Sequence, residues 1–105
     1  MNGFEDRGKG FEAKYQVDQE LEFKINARRN RLLGDWAAEL MGLAGEAGAA
    51  YAKDVVAADF ERPGDDDVVQ KVLKDLADKD VAMEDADIRK KLEELRAVAR
   101  EQLTQ

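Results

Sequence analysis

A chain of 105 residues with 39% charged side chains and a net charge of −7 has the size of one small, acidic domain. It has no Cys, His or Ser, and its only Thr is Thr104. That excludes zinc sites of the usual Cys/His kind, nucleophilic catalysis by Ser, Cys or an internal Thr, and histidine acid–base chemistry. The chain is therefore read as a non-enzyme. The net acidity argues against general nucleic-acid binding. No run of about 18 apolar residues is present to insert into a membrane, and Met1–Asp6 lacks the basic and apolar parts of a secretory signal. A cytoplasmic location is expected. Abundant Ala, Leu, Glu and Lys with few β-branched residues favour an all-α fold.

Residues 1–17 carry Phe4, Phe11 and Tyr15, spaced seven and four apart as one helical face requires. Gly3, Gly8 and Gly10 interrupt that face, each interior glycine costing about 1 kcal/mol against alanine. A helix this short is also marginal in isolation. The segment is expected to be frayed when free and to become helical when a partner covers its rings. The alternative is a tail that docks weakly on its own domain. Its charges balance: Glu5, Asp6 and Glu12 against Arg7, Lys9 and Lys14.

Leu21–Leu43 organises the rest. Leu21, Ile25, Leu32, Trp36, Leu40 and Leu43 recur at helical spacing, and Arg28 fills the one missing position. The pattern predicts a long helix whose apolar stripe is broken by a basic band of Lys24, Arg28, Arg29 and Arg31. Asp18 is the expected N-cap, unless the helix runs unbroken from about Gly10. The band reads either as a solvated face paired with nearby carboxylates or as a docking surface for an acidic partner or a phosphate.

Gly42, Gly45 and Gly48 place a turn near Leu43–Glu46. A second helix, with Ala47, Tyr51, Val55 and Ala58 as its stripe, reaches about Phe60 before Arg62-Pro63-Gly64 stops it. Asp65-Asp66-Asp67 lacks the alternating acids, central glycine and distal glutamate of a calcium loop. Asp65 is instead expected to cap a third helix, with Asp66 and Asp67 at its positive end. Val68 or Val69, Val72, Leu73 and Leu76 would face the core. The last helix starts at Glu84 or Asp85, with Met83 and Ile88 placed for a hydrophobic staple. Ile88, Leu92, Leu95, Ala99 and Leu103 form its stripe. Four such helices with short connections make an antiparallel four-helix bundle, with a long first helix whose N-terminal part projects. The expected division is a flexible segment, 1–17, and a bundle, 18–105. No Gly-rich phosphate loop and no cofactor motif occurs.

Three runs resemble a known family: Phe11-Glu12-Ala13-Lys14-Tyr15, Glu20-Leu21-Glu22-Phe23-Lys24, and Ala27 through Gly42 (Ala-Arg-Arg-Asn-Arg-Leu-Leu-Gly-Asp-Trp-Ala-Ala-Glu-Leu-Met-Gly). Together with the Gly64-Asp65-Asp66-Asp67-Val68 opening, they are similar to the ζ subunits of alphaproteobacterial F-type ATP synthases. The resemblance implies a four-helix bundle that is monomeric when free. Its N-terminal segment would fold as it enters a catalytic αβ interface beside the γ shaft and block ATP hydrolysis. It further implies α, β and γ subunits as partners and a peripheral position on the cytoplasmic membrane face. The residues expected to touch the partner are Phe4, Arg7, Lys9, Phe11, Lys14, Tyr15, Lys24, Arg28, Arg29 and Arg31. The alternative reading is a small helical binding module, or an adenine-nucleotide sensor with weak nucleotide binding.

Overall fold

The computed structural model describes the backbone of residues 3–61 and 64–104, and the side chains of 19–59 and 64–104. The expected contact residues Phe4, Arg7, Lys9, Phe11, Lys14 and Tyr15 therefore have side chains outside the described set, as does the Arg62-Pro63 stop. Four helices follow in order: α1 (Gly3–Leu40), α2 (Gly45–Glu61), α3 (Asp65–Asp78) and α4 (Asp85–Thr104). α1 passes through Asp18 without starting there.

The helices run up, down, up, down as a bundle. Gly34 lies against Ala52, and Ala38 near Gly48, so α1 and α2 are antiparallel about Leu43. Asp66 pairs with Arg89, and Gln70 with Asp85, so α3 and α4 form the second hairpin. α1 packs against all three other helices, whereas α2 and α4 bring no Cα atoms within 8 Å of each other among the described residues.

The main core joins Leu33 and Ala37 of α1, Val55 of α2, Val68, Val69, Val72 and Leu76 of α3, and Ile88 and Leu92 of α4. Each large side chain among them contributes roughly 1.5–3 kcal/mol by leaving water. This line differs from the sequence-based stripe. Among the described residues of α1 those buried are Ile25, Arg29, Asn30, Leu33, Gly34, Ala37 and Ala38, whereas Leu40 is exposed and Arg28 faces solvent. Trp36 sits at the core's edge, with the Lys91 ammonium 5.5 Å from its ring centroid. The cause is the close α1–α2 contact. A Cβ added at Gly34 would meet the Ala52 Cα at 2.6 Å. Small residues therefore occupy the centre of that seam, and the bulky ones are displaced to its margins.

Helix ends follow local chemistry. Gly42, at φ 77°, closes α1: its N–H reaches the Glu39 carbonyl, and the Leu43 N–H reaches that of Ala38. This double bond pattern satisfies carbonyls that a helix end leaves open. α3 closes with the same pattern through Asp80, at φ 61°. Asp65 does not cap α3 as expected. Gly64 holds the N-cap position with no side-chain cap, and Asp65 is drawn to an arginine instead. At α4 the Glu84 N–H donates to the Asp87 carboxylate, half of a capping box, while Met83 packs on the core that Ile88 helps form.

Between α2 and α3 the Tyr51 hydroxyl donates to Asp75 Oδ2 at 2.9 Å, and Lys71 Nζ donates to the same oxygen at 3.1 Å. Burial, and then the Asp75 carboxylate, push the Tyr51 phenol well above its usual range.

Two predictions follow from this packing. Gly34→Ala should lower unfolding free energy by roughly 1–3 kcal/mol in urea titration, because the clash is with backbone that no rotamer can relieve. An unchanged or raised midpoint would mean that the helices are not this close. For Tyr51, the unfolded phenol ionises near pH ~10 while the folded one keeps its proton, so its stabilisation is present below that pH and lost as pH rises. Tyr51→Phe should cost about 1 kcal/mol at neutral pH, and the gap to the parent should narrow above pH ~10. Stability curves that stay parallel through that range would contradict the coupling.

Candidate partner-binding site

Lys24, Arg28 and Arg31 fall at i, i+4 and i+7 of α1, which places them on one face. All three are exposed. Arg28 Nη1 donates to Gln102 Oε1 at 3.3 Å, tying the band to the end of α4. Arg31 Nε stands 3.7 Å from Asp35 Oδ1, a surface pair that contributes little. These cations line a groove of about 630 Å³ with Phe23, Ala27, Leu32, Val56 and Leu103. Leu32, Val56 and Leu103 are half-buried, and Phe23 is 58% exposed.

Arg29 is separated from the others by the helical turn. It points into the bundle and is only 5% exposed. Its Nε and Nη2 donate to Asn30 Oδ1 at 3.2 and 3.1 Å, and Nη2 also donates to Asp65 Oδ1 at 2.8 Å. This arginine fastens the start of α3 to the middle of α1. Asn30 is fully buried, and its Nδ2 has no hydrogen-bond partner among the described residues. The structure thus brings three of the four band residues to one surface and commits the fourth to cohesion.

A second cleft, about 460 Å³, is lined by Arg29, Asp65, Arg89, Lys90, Leu92, Glu93 and Arg96. Its arginines are held internally. Arg89 donates to Asp85 and to Asp66, and these bonds raise its already high pKa. Arg96 donates to Asn26 Oδ1 at 2.8 Å and to the Glu22 carboxylate, and so keeps that carboxyl below its usual range. Among the described residues no acidic group is arranged to hold a metal ion, and no helix is long and apolar enough to cross a membrane.

Sequence reasoning missed Phe23 and placed Leu103 only in the core stripe. The available signal was an aromatic residue off the apolar stripe, next to a cation.

The groove sets the cations Lys24, Arg28 and Arg31 beside apolar surface. A family model described as ATPase inhibitor subunit zeta matches residues 1–102. No curated protein matches. A solved structure determined by solution NMR is 49% identical and covers 79% of this chain and 94% of its own, with a TM-score of 0.69. The family match runs through the leader, the basic band and all four helices, and on that ground the chain belongs to the ATPase inhibitor subunit zeta family.

Proposed function

We propose that this chain suppresses ATP hydrolysis by the F1 part of an ATP synthase, using residues 1–17 as a wedge that enters a catalytic αβ interface beside the γ shaft. The family is one of ATPase inhibitors, so the role is regulatory and the partner is an ATPase. The observation that carries the finer reading is the length of α1. It has 38 residues against 20 in α4, the next longest helix, and the excess is about 27 Å at a rise of ~1.5 Å per residue. Among the described side chains, the other helices meet α1 from Glu22 onward: Arg96 at Glu22 and Asn26, Gln102 at Arg28, and Asp65 at Arg29.

A wedge must be narrow, and it must be stopped at a set depth. The leader is one helix wide, whereas the molecule behind it measures 26 × 23 Å across its short axes. Because α1 continues from leader to core, the body sets the direction in which the leader points. In this reading Phe4, Phe11 and Tyr15 are the buried anchors, as aromatics are at interface centres. Arg7, Lys9 and Lys14 pair with acids of the cleft. Lys24, Arg28 and Arg31 hold its mouth, and Arg29 serves from inside by keeping α3 on α1. Rotation that closes the interface tightens it on the wedge, and rotation that opens it releases the wedge, so synthesis is spared. The complex lies on the cytoplasmic face of the membrane. The second reading, an adenine-nucleotide sensor, has the arginine-lined cleft in its favour. The pairing of those arginines with Asp65, Asp66, Asp85 and Glu22 counts against it.

The test is ATP hydrolysis by cognate F1 in the presence of the full chain, of a chain beginning at Asp18, and of the double variant Gly8→Ala, Gly10→Ala. Removing the leader should abolish inhibition. The alanines should strengthen it by up to about thirtyfold, since two interior glycines weaken the N-terminal part of α1 by roughly 2 kcal/mol. Equal hydrolysis with full and shortened chains would refute the wedge.

A further inference from the structure

Among the described side chains, Glu22 is the first on α1 to take a hydrogen bond from another helix, and the last turns of α4 supply it. Arg96 Nη2 donates to the Glu22 carboxylate, and Arg96 Nη1 donates to Asn26 Oδ1 at 2.8 Å. Arg28 Nη1 donates to Gln102 Oε1 at 3.3 Å. At about 100° per residue, Arg28 lies ~140° around α1 from the midpoint of Glu22 and Asn26. Ile25 and Arg29 fall between these two flanks, and both are buried. α4 therefore grips α1 on both sides of a buried line.

One guanidinium thus reaches two residues a turn apart, about 6 Å along the axis. Its donors are fixed in a plane, so satisfying both acceptors sets the rotation of α1 as well as its position along α4. Arg100, one turn further on α4, adds its charge at the Glu22 carboxylate. An ion pair exposed at 37% and 49% adds little to stability. Its geometric effect is the larger one. α1 is unbroken from Gly3 to Leu40, so the part before Glu22 takes its direction from where α4 holds it. That part is roughly 28 Å long, and a bend of ~20° at Glu22 would carry its far end about 10 Å sideways.

We propose that Arg96 is a positioning residue: through Glu22 and Asn26 it fixes the direction in which α1 leaves the bundle, and inhibition depends on that direction. This rests on the reading of residues 1–17 as the wedge. It adds which contact aims the wedge, and it separates aim from stability. Chains that lose the Arg96 contacts keep the core of Leu33, Val72, Leu76 and Ile88, yet present the wedge at the wrong angle.

The experiment uses the full chain and cognate F1. The chain has no cysteine, so Gln19→Cys with Lys74→Cys, both exposed positions, puts one nitroxide label on α1 ahead of Glu22 and one on α3. The label–label distance distribution, inhibition of hydrolysis and thermal unfolding are measured for the parent, Arg96→Gln, Glu22→Arg, and Glu22→Arg with Arg96→Glu. Each single variant should widen the distribution at least ~twofold and raise the half-inhibiting concentration about tenfold. The unfolding midpoint should move little. The double variant exchanges the signs of the pair, and the Asn26 amide can donate as well as accept, so both readouts should return towards those of the parent. If Arg96→Gln does not fold, Glu22→Arg and the exchanged pair decide. Equal widths in parent and folded single variants would overturn the proposal. So would single variants that inhibit like the parent, or an exchanged pair no better than either single change. The wedge reading fails separately, if a chain beginning at Asp18 inhibits as fully as the parent does.

Discussion

The fold depends on how closely two backbones approach. With only a hydrogen where a Cβ would stand, Gly34 lets α1 lie directly on Ala52 of α2. Ala37, Ala38 and Ala52, all buried, keep the rest of that seam thin. A thin seam brings α3 within reach of α1 across the diagonal of the bundle, and valines at 68, 69 and 72 then fill the centre. With leucines in place of the alanines the same four helices would stand further apart. The core would then lose the density on which its stability rests.

Polar contacts complete what the thin seam begins. α3 opens with three aspartates and has no side-chain cap. Two of those acids are held by arginines of other helices, Asp65 by Arg29 of α1 and Asp66 by Arg89 of α4. The Arg29 pair lies partly out of water, where an ion pair couples more strongly than on the surface. Arg29 also donates twice to the buried Asn30. An arginine read from sequence as part of a docking band is therefore a brace between α1 and α3. Its neighbours on the outer face remain available to a partner.

The helices are unequal in length, and the proposed mechanism makes use of that. Among the described side chains, α2, α3 and α4 meet α1 between Glu22 and Ala38. The same helix bears the core line, the outward cations and the N-terminal segment, so in the proposed mechanism an attachment made by the body would set the direction of that segment.

The sequence by itself determined the number of helices, the approximate limits of α2, α3 and α4, and the family, whereas α1 begins at Gly3 and not at Asp18 or Gly10. Apolar periodicity, glycine and proline punctuation and the Ala27–Gly42 run are local signals, and local signals survive without a structure. Val72, Leu76, Ile88 and Leu92 were legible as core for that reason. The sequence did not determine which residue of the basic band would turn inward. Arg28 and Arg29 differ by one position, or about 100° of helix, and the stripe of large apolar residues pointed to Arg28. The tertiary structure chose Arg29, because alanines and Gly34 rather than leucines face the partner helices, and small residues carry a weak hydrophobic signal. Only the structure decided that Asp65 would pair with Arg29 instead of capping α3. The same holds for the groove that joins Phe23, Val56 and Leu103, which come from three helices and have no common pattern along the chain.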